Sequence, residues 1–289
     1  MKLSIDCVPC ILKTVNLASK LAVEDEQTRK EILVKAFQII SSNWDKTPIE
    51  ISLEIHRMIR RSTGINDPFK DIKNKSNEFV RNLFPMMKKL VDVSREKLEV
   101  AVKLAIAGNT IDIVTVEFQD FKKNLFKTFR KKLAVNDYSK FKEAVSSCNN
   151  LLYFLDNAGE IYTDKLLIEA MLDIRNREFK NISIVVRGGP IVNDATYDDL
   201  KAVGLDDLPN TSIVFASNGE EGSGISPNSR ELDDLINSHD LVIAKGMANY
   251  EVMENKRNIF FLLIAKCAPI AGRLGVKPGD PVLKYSAPR

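Results

Sequence analysis

The second half of the chain alternates short apolar runs with amphipathic segments. The apolar runs are Leu151–Leu155, Ile182–Val186, Ser212–Ala216, Leu241–Ala244 and Ile259–Ala265. Segments with helical spacing separate the first four runs, at Ile161–Arg177, Ala195–Val203 and Ser229–Asn237. This alternation predicts a mostly parallel sheet with helices on both faces. Right-handed crossovers would bring the carboxyl ends of its strands to one edge.

The first half of the chain has the hydrophobic period of helices. Thr47-Pro48-Ile49-Glu50 is a helix start with a capping box, and Gly64 suits the end of that helix. Ser94–Ala107 carries one apolar face and stops at Gly108. Three more helices are expected at Glu26–Asn43, after Asp67-Pro68 with a break or bend near Pro85, and at Phe118–Val135.

The fold class that follows is α/β, with a mostly parallel sheet flanked by helices and an N-terminal all-helical part. The chain has 289 residues, which is enough for one large or two ordinary domains. Strand patterns begin just after residues 136–147. We therefore expect a helical domain at residues 1–140 and an α/β domain at residues 141–289.

The composition and net charge of the chain favour some kinds of function over others. Hydrophobic residues make up 44% and charged residues 28% of the chain, and the formal net charge is only +3. So small a charge does not suggest nucleic-acid binding, but it suits an enzyme that draws anions into one cleft. No apolar run approaches the roughly 20 residues of a membrane span, and the N-terminus does not resemble a signal peptide. With four irregularly placed cysteines, we expect a cytoplasmic protein of unassigned oligomeric state, with no membrane or nucleic-acid partner.

Polar residues and glycines follow each of the first four predicted strands. They are Asp156 and Asn157, then Arg187, Asn193 and Asp194, then Ser217–Glu220, and finally Lys245, Gly246 and Asn249. Open α/β sheets bind ligands at the carboxyl ends of their strands. The sequence therefore predicts a site at this edge of the sheet.

The oxygen-bearing side chains among these residues suit a metal. Asp156, Asn157 and Asp194 are the types that hold a hard dication such as Mg²⁺ or Mn²⁺, which would activate a water for attack on a phosphate. Arg187 or Lys245 could neutralise the phosphoryl oxygens, and Lys284 could too if the C-terminal strand returns to the sheet. No Walker motif or Gly-x-Gly-x-x-Gly is present, which argues against a P-loop NTPase and a dinucleotide-binding fold.

Other roles stay open for several of these residues. Asp156 could cap the helix that follows it, and Asn157 and Asp194 could be turn residues. The pair in Cys7-Val8-Pro9-Cys10 could be packed and reduced, or it could bind a metal or work in redox chemistry. The basic residues within 122–132 suit a solvated helix face, and structural roles are favoured for both histidines, His56 and His239.

A set of short motifs resembles the damage-control phosphatase family, which includes the acidic-residue methyltransferase-like proteins. The set comprises Asp156–Glu160, Asn193–Thr196, Lys245-Gly246-x-x-Asn249-Tyr250 and Leu283-Lys284. Gly108–Asp112 and Asp67–Lys70 match the helical portion of the family. Cys7 and Cys10 resemble its prokaryotic and archaeal branch. The resemblance covers essentially the whole chain.

The resemblance implies a helical domain joined to a Rossmann-like α/β domain, with a divalent metal (Mg, Mn, Co or Ni) between them. By resemblance, Asp156, Asn157 and Asp194 bind the metal. Lys284 and the loop Lys245–Asn249, including Gly246, would hold the phosphate, while Asn109, Asp112 and Glu160 would orient substrate or water. The implied activity is hydrolysis of small phosphorylated metabolites, such as sugar phosphates or damaged phosphometabolites, with Asp156, Asp194 and Lys284 as catalytic residues.

Three rival functions remain. An aspartyl-phosphate mechanism would use Asp156 as the nucleophile, although Ala158 stands where the Asp-x-Asp motif has its second acid. An S-adenosylmethionine-dependent carboxyl methyltransferase is proposed for one branch of the family, but no glycine-rich cofactor motif supports it in this chain. The third rival is a nucleic-acid- or protein-binding module that uses the basic helix at residues 122–132.

Overall fold

The computed structural model describes residues 1–111, 118–175 and 177–287. Its helices are α1 Cys7–Ala22, α2 Glu26–Ser41, α3 Pro48–Thr63, α4 Lys70–Asp92, α5 Lys97–Gly108, α6 Phe118–Phe129, α7 Tyr138–Ser147, α8 Ile161–Arg175, α9 Tyr197–Val203, α10 Arg230–Asn237, α11 Gly246–Met253 and α12 Ala268–Leu274. Its strands are β1 Val135–Asn136, β2 Asn150–Phe154, β3 Asn181–Arg187, β4 Thr211–Ala216, β5 Leu241–Lys245, β6 Ile259–Ala265 and β7 Asp280–Ser286.

The ends of α3 follow directly from its sequence. The Thr47 hydroxyl accepts a hydrogen bond from the Glu50 backbone N–H at 3.3 Å, and the Glu50 carboxylate accepts one from the Thr47 N–H at 2.8 Å. Gly64 ends the helix with a φ of 72°, a conformation in which a Cβ would cause strain. The predicted start and end of this helix are confirmed.

The described strands form one sheet in the order β1-β7-β6-β5-β2-β3-β4. Strands β2 to β6 run parallel, whereas β7 runs antiparallel to β6 and pairs in parallel with β1. The strand order reverses between β2 and β5, because β3 and β4 lie on one side of β2 and β6 lies beyond β5. Such a switch point is where open α/β sheets place ligands. The predicted α/β fold is confirmed.

Successive side chains of the central strands point to opposite faces of the sheet and enter different cores. Tyr153 and Ile243 join the core that includes residues of α5 and α8. Leu152 and Val242 join the core that includes residues of α10, α11 and α12. Both faces are therefore covered, which explains why the strands read as unbroken apolar runs. A third core belongs mainly to α1, α2 and α3.

Some local predictions were wrong. The break expected as one alternative near Pro85 does not occur, because α4 runs continuously from Lys70 to Asp92. Helix α6 ends at Phe129 rather than Val135. Helices α1, α7, α11 and α12 were missed. In α1, Pro9 lies in the first turn, which tolerates proline.

The two halves of the chain also meet within the sheet. Strand β1, at residues 135 and 136, pairs with the C-terminal strand β7. The division at residue 140 stays a prediction. In the described part of the chain, no helix is long and apolar enough to cross a membrane.

Candidate functional site

Two turns at the carboxyl edge of the sheet lie side by side. The segment after β2 and the segment after β3 form a short antiparallel bridge between Asn157 and Asp194. The Ala195 N–H donates to the Asp156 carbonyl at 2.8 Å, and the Ala158 N–H donates to the Asn193 carbonyl at 2.9 Å. The structure thus brings Asp156, Asn157 and Asp194 together, although 37 positions separate the last two in the sequence.

Two buried amides hold the Asp156 carboxylate. Asn109 Nδ2 donates to Asp156 Oδ2 at 2.8 Å and to Glu160 Oε2 at 2.9 Å. Asn157 Nδ2 donates to the same two oxygens, at 2.7 and 3.0 Å. Asn109 caps the carboxyl end of α5, and its side-chain oxygen Oδ1 accepts from the Ile264 N–H of β6 at 3.2 Å. A helix of the N-terminal half therefore contributes directly to the arrangement at the sheet edge.

Lys245 lies beneath the hydrogen-bonded group of Asp156, Asn109, Asn157 and Glu160 and does not line the cavity above it. Its ammonium is fully buried and donates to Glu160 Oε1 at 2.7 Å, Asp164 Oδ1 at 2.5 Å and the Ala105 carbonyl at 2.9 Å. Burial alone would lower the pKa of Lys245, but the carboxylates of Asp164 and Glu160 outweigh burial and raise the pKa. Burial also raises the pKa of Asp164 to about 6, against the opposing charge of Lys245.

Gly246 and Asn249 shape the same loop in different ways. Gly246 has a φ of 75°, and a Cβ there would lie 1.9 Å from Asp156 Oδ2. The absence of a side chain therefore makes room for the Asp156 carboxylate. Asn249 donates from Nδ2 to the Leu155 and Lys245 carbonyls, at 3.0 and 2.8 Å. Its amide thus ties α11 to the ends of β2 and β5.

A cavity of about 280 Å³ opens over Asp156, Asn157 and Asp194. Side chains of α1, α3, α11 and the segment after β6 complete its wall, including Cys7, Cys10, Glu251, Lys266 and Cys267. None of the four cysteines, all of which are described, forms a disulfide. Burial raises the pKa of Glu251 to about 7.

Lys266 is the functional candidate that the sequence reasoning missed. It directly follows β6, just as Asp156 follows the end of β2, so the rule that polar residues past a strand form the site would have found it. Burial and the neighbouring Glu160 and Asp194 carboxylates raise the pKa of Asp156 well above its usual value. The positive charges of Lys266 and Lys245 oppose that effect, which means that Lys266 acts electrostatically on the centre of the site.

The remaining predicted residues have three different placements. Arg187 Nε donates to Asp194 Oδ2 at 2.7 Å, so it adjoins the site. Lys284 does not line the cavity. It lies on β7, three strands from β2, with its ammonium 5.9 Å from the centre of the Tyr250 ring. Because neighbouring strands are about 4.8 Å apart, the strands β7 and β2 lie about 14 Å apart. Asp112 lies outside the described residues.

The donor set fits a hard dication. Two carboxylates and one amide oxygen are hard ligands, and Mg²⁺ or Mn²⁺ needs only one or two carboxylates from a protein. Burial first, and then the neighbouring carboxylates of Glu160 and Asp194, raise the pKa of Asp156, and a bound cation would offset the repulsion between these carboxylates. No group of three or more His, Cys, Asp or Glu side chains in the described residues, this site included, is placed to hold a metal. The set proposed here has two carboxylates, and its third donor is an amide.

Comparison with known proteins identifies the family. A family model of the damage-control phosphatase ARMT1-like domain matches residues 3–282. The chain belongs to this damage-control phosphatase family. A protein named damage-control phosphatase from Archaeoglobus fulgidus is 34% identical, with 98% of this chain and 99% of the relative aligned. Damage-control phosphatase PH1575 from Pyrococcus horikoshii is also 34% identical, with 96% of each chain aligned.

A solved structure supports the family fold. The crystal structure of the DUF89 family protein PH1575 from Pyrococcus horikoshii superposes with a TM-score of 0.85 at 33% sequence identity. The alignment covers 99% of both chains. The resemblance proposed from the sequence motifs is therefore confirmed for the damage-control phosphatase family over the whole fold.

Proposed function

We propose that this protein is a metal-dependent phosphatase that hydrolyses small phosphorylated metabolites. Membership of the damage-control phosphatase family supports the phosphatase activity. The observation that carries the proposal is the meeting of Asp156, Asn157 and Asp194 on the floor of one small cavity, with Lys266 in its wall.

Asp156, Asn157 and Asp194 would hold the metal, with Mg²⁺, Mn²⁺, Co²⁺ and Ni²⁺ as the candidates. A bound dication would polarise a phosphoryl oxygen and lower the pKa of a water. Glu160 and Asn109 would keep the Asp156 carboxylate in place through the buried hydrogen bonds described above. This support matters because a ligand that can rotate loses affinity for its metal.

Lys266 would neutralise the phosphoryl group, with Arg187 as a second candidate. Lys266 lines the cavity, whereas Arg187 lines a neighbouring pocket and reaches the site through the Asp194 carboxylate. Charge-assisted hydrogen bonds to phosphoryl oxygens stabilise the extra negative charge that develops during transfer. Lys245 does not suit this role, because its ammonium is buried beneath Glu160.

The cavity favours a small substrate. Its volume of about 280 Å³ is at the low end of ligand sites, which usually span about 300–1,000 Å³. Part of its wall is apolar, from Ile49, Ile191 and Met247. A small phosphomonoester such as a sugar phosphate is the proposed substrate class.

The test is hydrolysis of p-nitrophenyl phosphate and sugar phosphates by chelator-treated protein to which each of the four metals is added back. Metal-stimulated turnover is expected, and Asp156→Asn and Asp194→Asn should each lower kcat/KM by about 100-fold or more. Asp173→Asn, on an exposed side chain of α8, is the matched control and should leave turnover unchanged.

Two outcomes would contradict this mechanism. Absence of metal-stimulated turnover with every substrate would remove the proposed activity. A covalent beryllofluoride adduct on Asp156 would favour the aspartyl-phosphate mechanism instead.

A further inference from the structure

Glu160 accepts hydrogen bonds from three nitrogen groups at once. Its Oε2 accepts from Asn109 Nδ2 at 2.9 Å and from Asn157 Nδ2 at 3.0 Å. Its Oε1 accepts from the Lys245 ammonium at 2.7 Å. The Glu160 side chain is fully buried and therefore depends on these partners. One carboxylate thus joins both amides of the site to a lysine that does not line the cavity.

These contacts determine which way the Asn157 amide faces. Asp156 Oδ2 and Glu160 Oε2 each accept from Asn157 Nδ2, at 2.7 and 3.0 Å, so the NH₂ group of Asn157 lies on their side. The carbonyl oxygen of Asn157 must then face away from both carboxylates. A rotated amide would direct its NH₂ group toward a bound cation and repel it.

Lys245 holds the Glu160 carboxylate from the side opposite the two amides. A buried carboxylate without a charged partner costs considerable free energy, so this ion pair keeps Glu160 in place. Lys245 supplies a buried positive charge to Glu160 and to Asp164, and the Tyr153 hydroxyl also donates to Asp164 at 2.9 Å. The ammonium has three acceptors and no exposed surface, so it does not reach the cavity.

We propose that Lys245 and Glu160 form a positioning pair that orients the Asn157 amide so that its carbonyl oxygen faces the metal position. This inference rests on the proposed metal-binding role of Asn157. It assigns Lys245 a role beneath the site in place of the phosphate contact expected from the sequence. It also separates Glu160 from the ligands, because Glu160 acts through the amides that it holds.

The critical variant is Glu160→Gln, because a carboxamide has one acceptor and one donor end. Its oxygen would turn toward the Lys245 ammonium, which leaves its NH₂ group facing the NH₂ groups of Asn109 and Asn157. The repulsion between these donors would push the Asn157 amide away from the orientation that Asp156 and Glu160 hold together. The double variant Glu160→Gln with Lys245→Met removes the ammonium. The introduced carboxamide can then turn its oxygen back toward the amides and restore the Asn157 orientation.

Mn²⁺ binding to chelator-treated protein, measured by isothermal titration calorimetry, reads out this orientation without any turnover. Glu160→Gln should weaken binding about 10- to 100-fold, the range for lost support of a metal ligand, and the double variant should recover to within about threefold of the unmodified protein. Asp164→Asn is the matched control. It disturbs the same lysine without touching the amides and should also stay within about threefold.

The outcomes separate this inference from the proposed function. If the unmodified protein binds no Mn²⁺, both fail. If it binds but Glu160→Gln binds equally well, or the double variant is no better than the single one, the positioning pair is wrong while the phosphatase proposal stands. Thermal unfolding of the metal-free variants checks folding. Should Glu160→Gln not fold, Glu160→Asp replaces it, since its shorter side chain still faces Lys245 but withdraws from the amides. Unchanged Mn²⁺ binding by Glu160→Asp would overturn the inference.

Discussion

At the residue scale, the site depends on one glycine. The Asp156 carboxylate occupies the position that a Cβ on residue 246 would take, and the φ of Gly246 is 75°. Gly246→Ala should therefore displace Asp156 and weaken Mn²⁺ binding at least tenfold, as calorimetry would measure. The control is Gly272→Ala in α12, where an added Cβ meets nothing within 4 Å. Equal Mn²⁺ affinities for the two variants would show that the close approach at Gly246 is unimportant.

The two lysines offered for phosphate binding can be separated by kinetics. Lys266 lines the cavity and Lys284 does not. Lys266→Met should raise KM for a phosphomonoester about 10- to 100-fold, because a charge-assisted hydrogen bond is lost. Lys284→Met is the matched control and should change KM by less than about twofold. The reverse pattern would return the phosphate contact to Lys284.

His56 is buried on α3 and gives the fold a pH dependence. Burial, with a smaller contribution from the Arg60 charge, lowers the pKa of His56 to about 4. The unfolded chain protonates this residue near pH 6.5, so stability is present above pH 6.5 and is lost as pH falls toward 4. Between pH 7 and pH 5 this residue should reduce the free energy of unfolding by about 2 kcal/mol.

Urea unfolding at both pH values measures this effect. The control is His56→Leu, which replaces the imidazole by an apolar side chain and should lose about 2 kcal/mol less than the unmodified protein between pH 7 and pH 5. Identical pH dependence of the two proteins would show that His56 does not resist protonation in the folded state.

At the scale of elements, Arg60 ties α3 to the loop after β3 and to the loop after β4, whereas Arg57 and Arg61 contact the second loop. The Arg60 guanidinium donates to the Pro190 carbonyl at 2.8 Å, to the Asn218 carbonyl at 3.2 Å and to the Glu220 carboxylate at 2.9 Å. The first of these loops carries Asp194. The position of a helix from the N-terminal half therefore bears on the geometry of the site.

Replacement of this arginine should loosen both loops. Arg60→Lys keeps the charge but cannot make three divergent hydrogen bonds, so the free energy of unfolding should fall by about 2–3 kcal/mol. Amide hydrogen exchange should accelerate in residues 188–194 and 217–224. Arg61→Lys is the control, because Arg61 is exposed and should change stability by less than about 0.5 kcal/mol. Unchanged amide hydrogen exchange in Arg60→Lys would show that Arg60 does not hold these two loops in place.

The helices and strands also show which local sequence signals were sufficient to predict an element. The ends of α3 were predictable because a capping box and a glycine act within a few residues of the chain. Helix α7 was not, because only Phe141 and Val145 of its ten residues are buried. Strand β7 left little trace in the apolar pattern, and its antiparallel direction follows from packing against β6 rather than from local preference.

At the scale of the whole molecule, one apolar core joins the two halves of the chain. It includes Leu104 and Ala107 of α5, Phe121 of α6 and Ile168 of α8. Strand β1 also lies ahead of residue 141 and pairs with β7. A fragment of residues 141–289 would expose the surfaces that these elements cover.

We therefore expect the fragment 141–289 to lack cooperative thermal unfolding and near-ultraviolet circular dichroism, because a packed core without its covering helices loses its fixed structure. The full chain is the control and should unfold cooperatively. A fragment with sharp unfolding and native near-ultraviolet signals would instead establish residues 141–289 as an independently folding domain.

The sequence by itself determined the α/β class, the parallel strands and the edge of the sheet at which the candidate site lies. Those features depend on hydrophobic period and on the polar residues that follow each strand, both of which are local. Only the tertiary structure determined which side chains contact each other and which of them line the cavity. It showed that Lys245 is buried beneath Glu160, that Lys284 lies away from the cavity and that Lys266 and Cys7 line it. Contacts between residues far apart in the chain depend on how helices and strands pack, which no local pattern encodes.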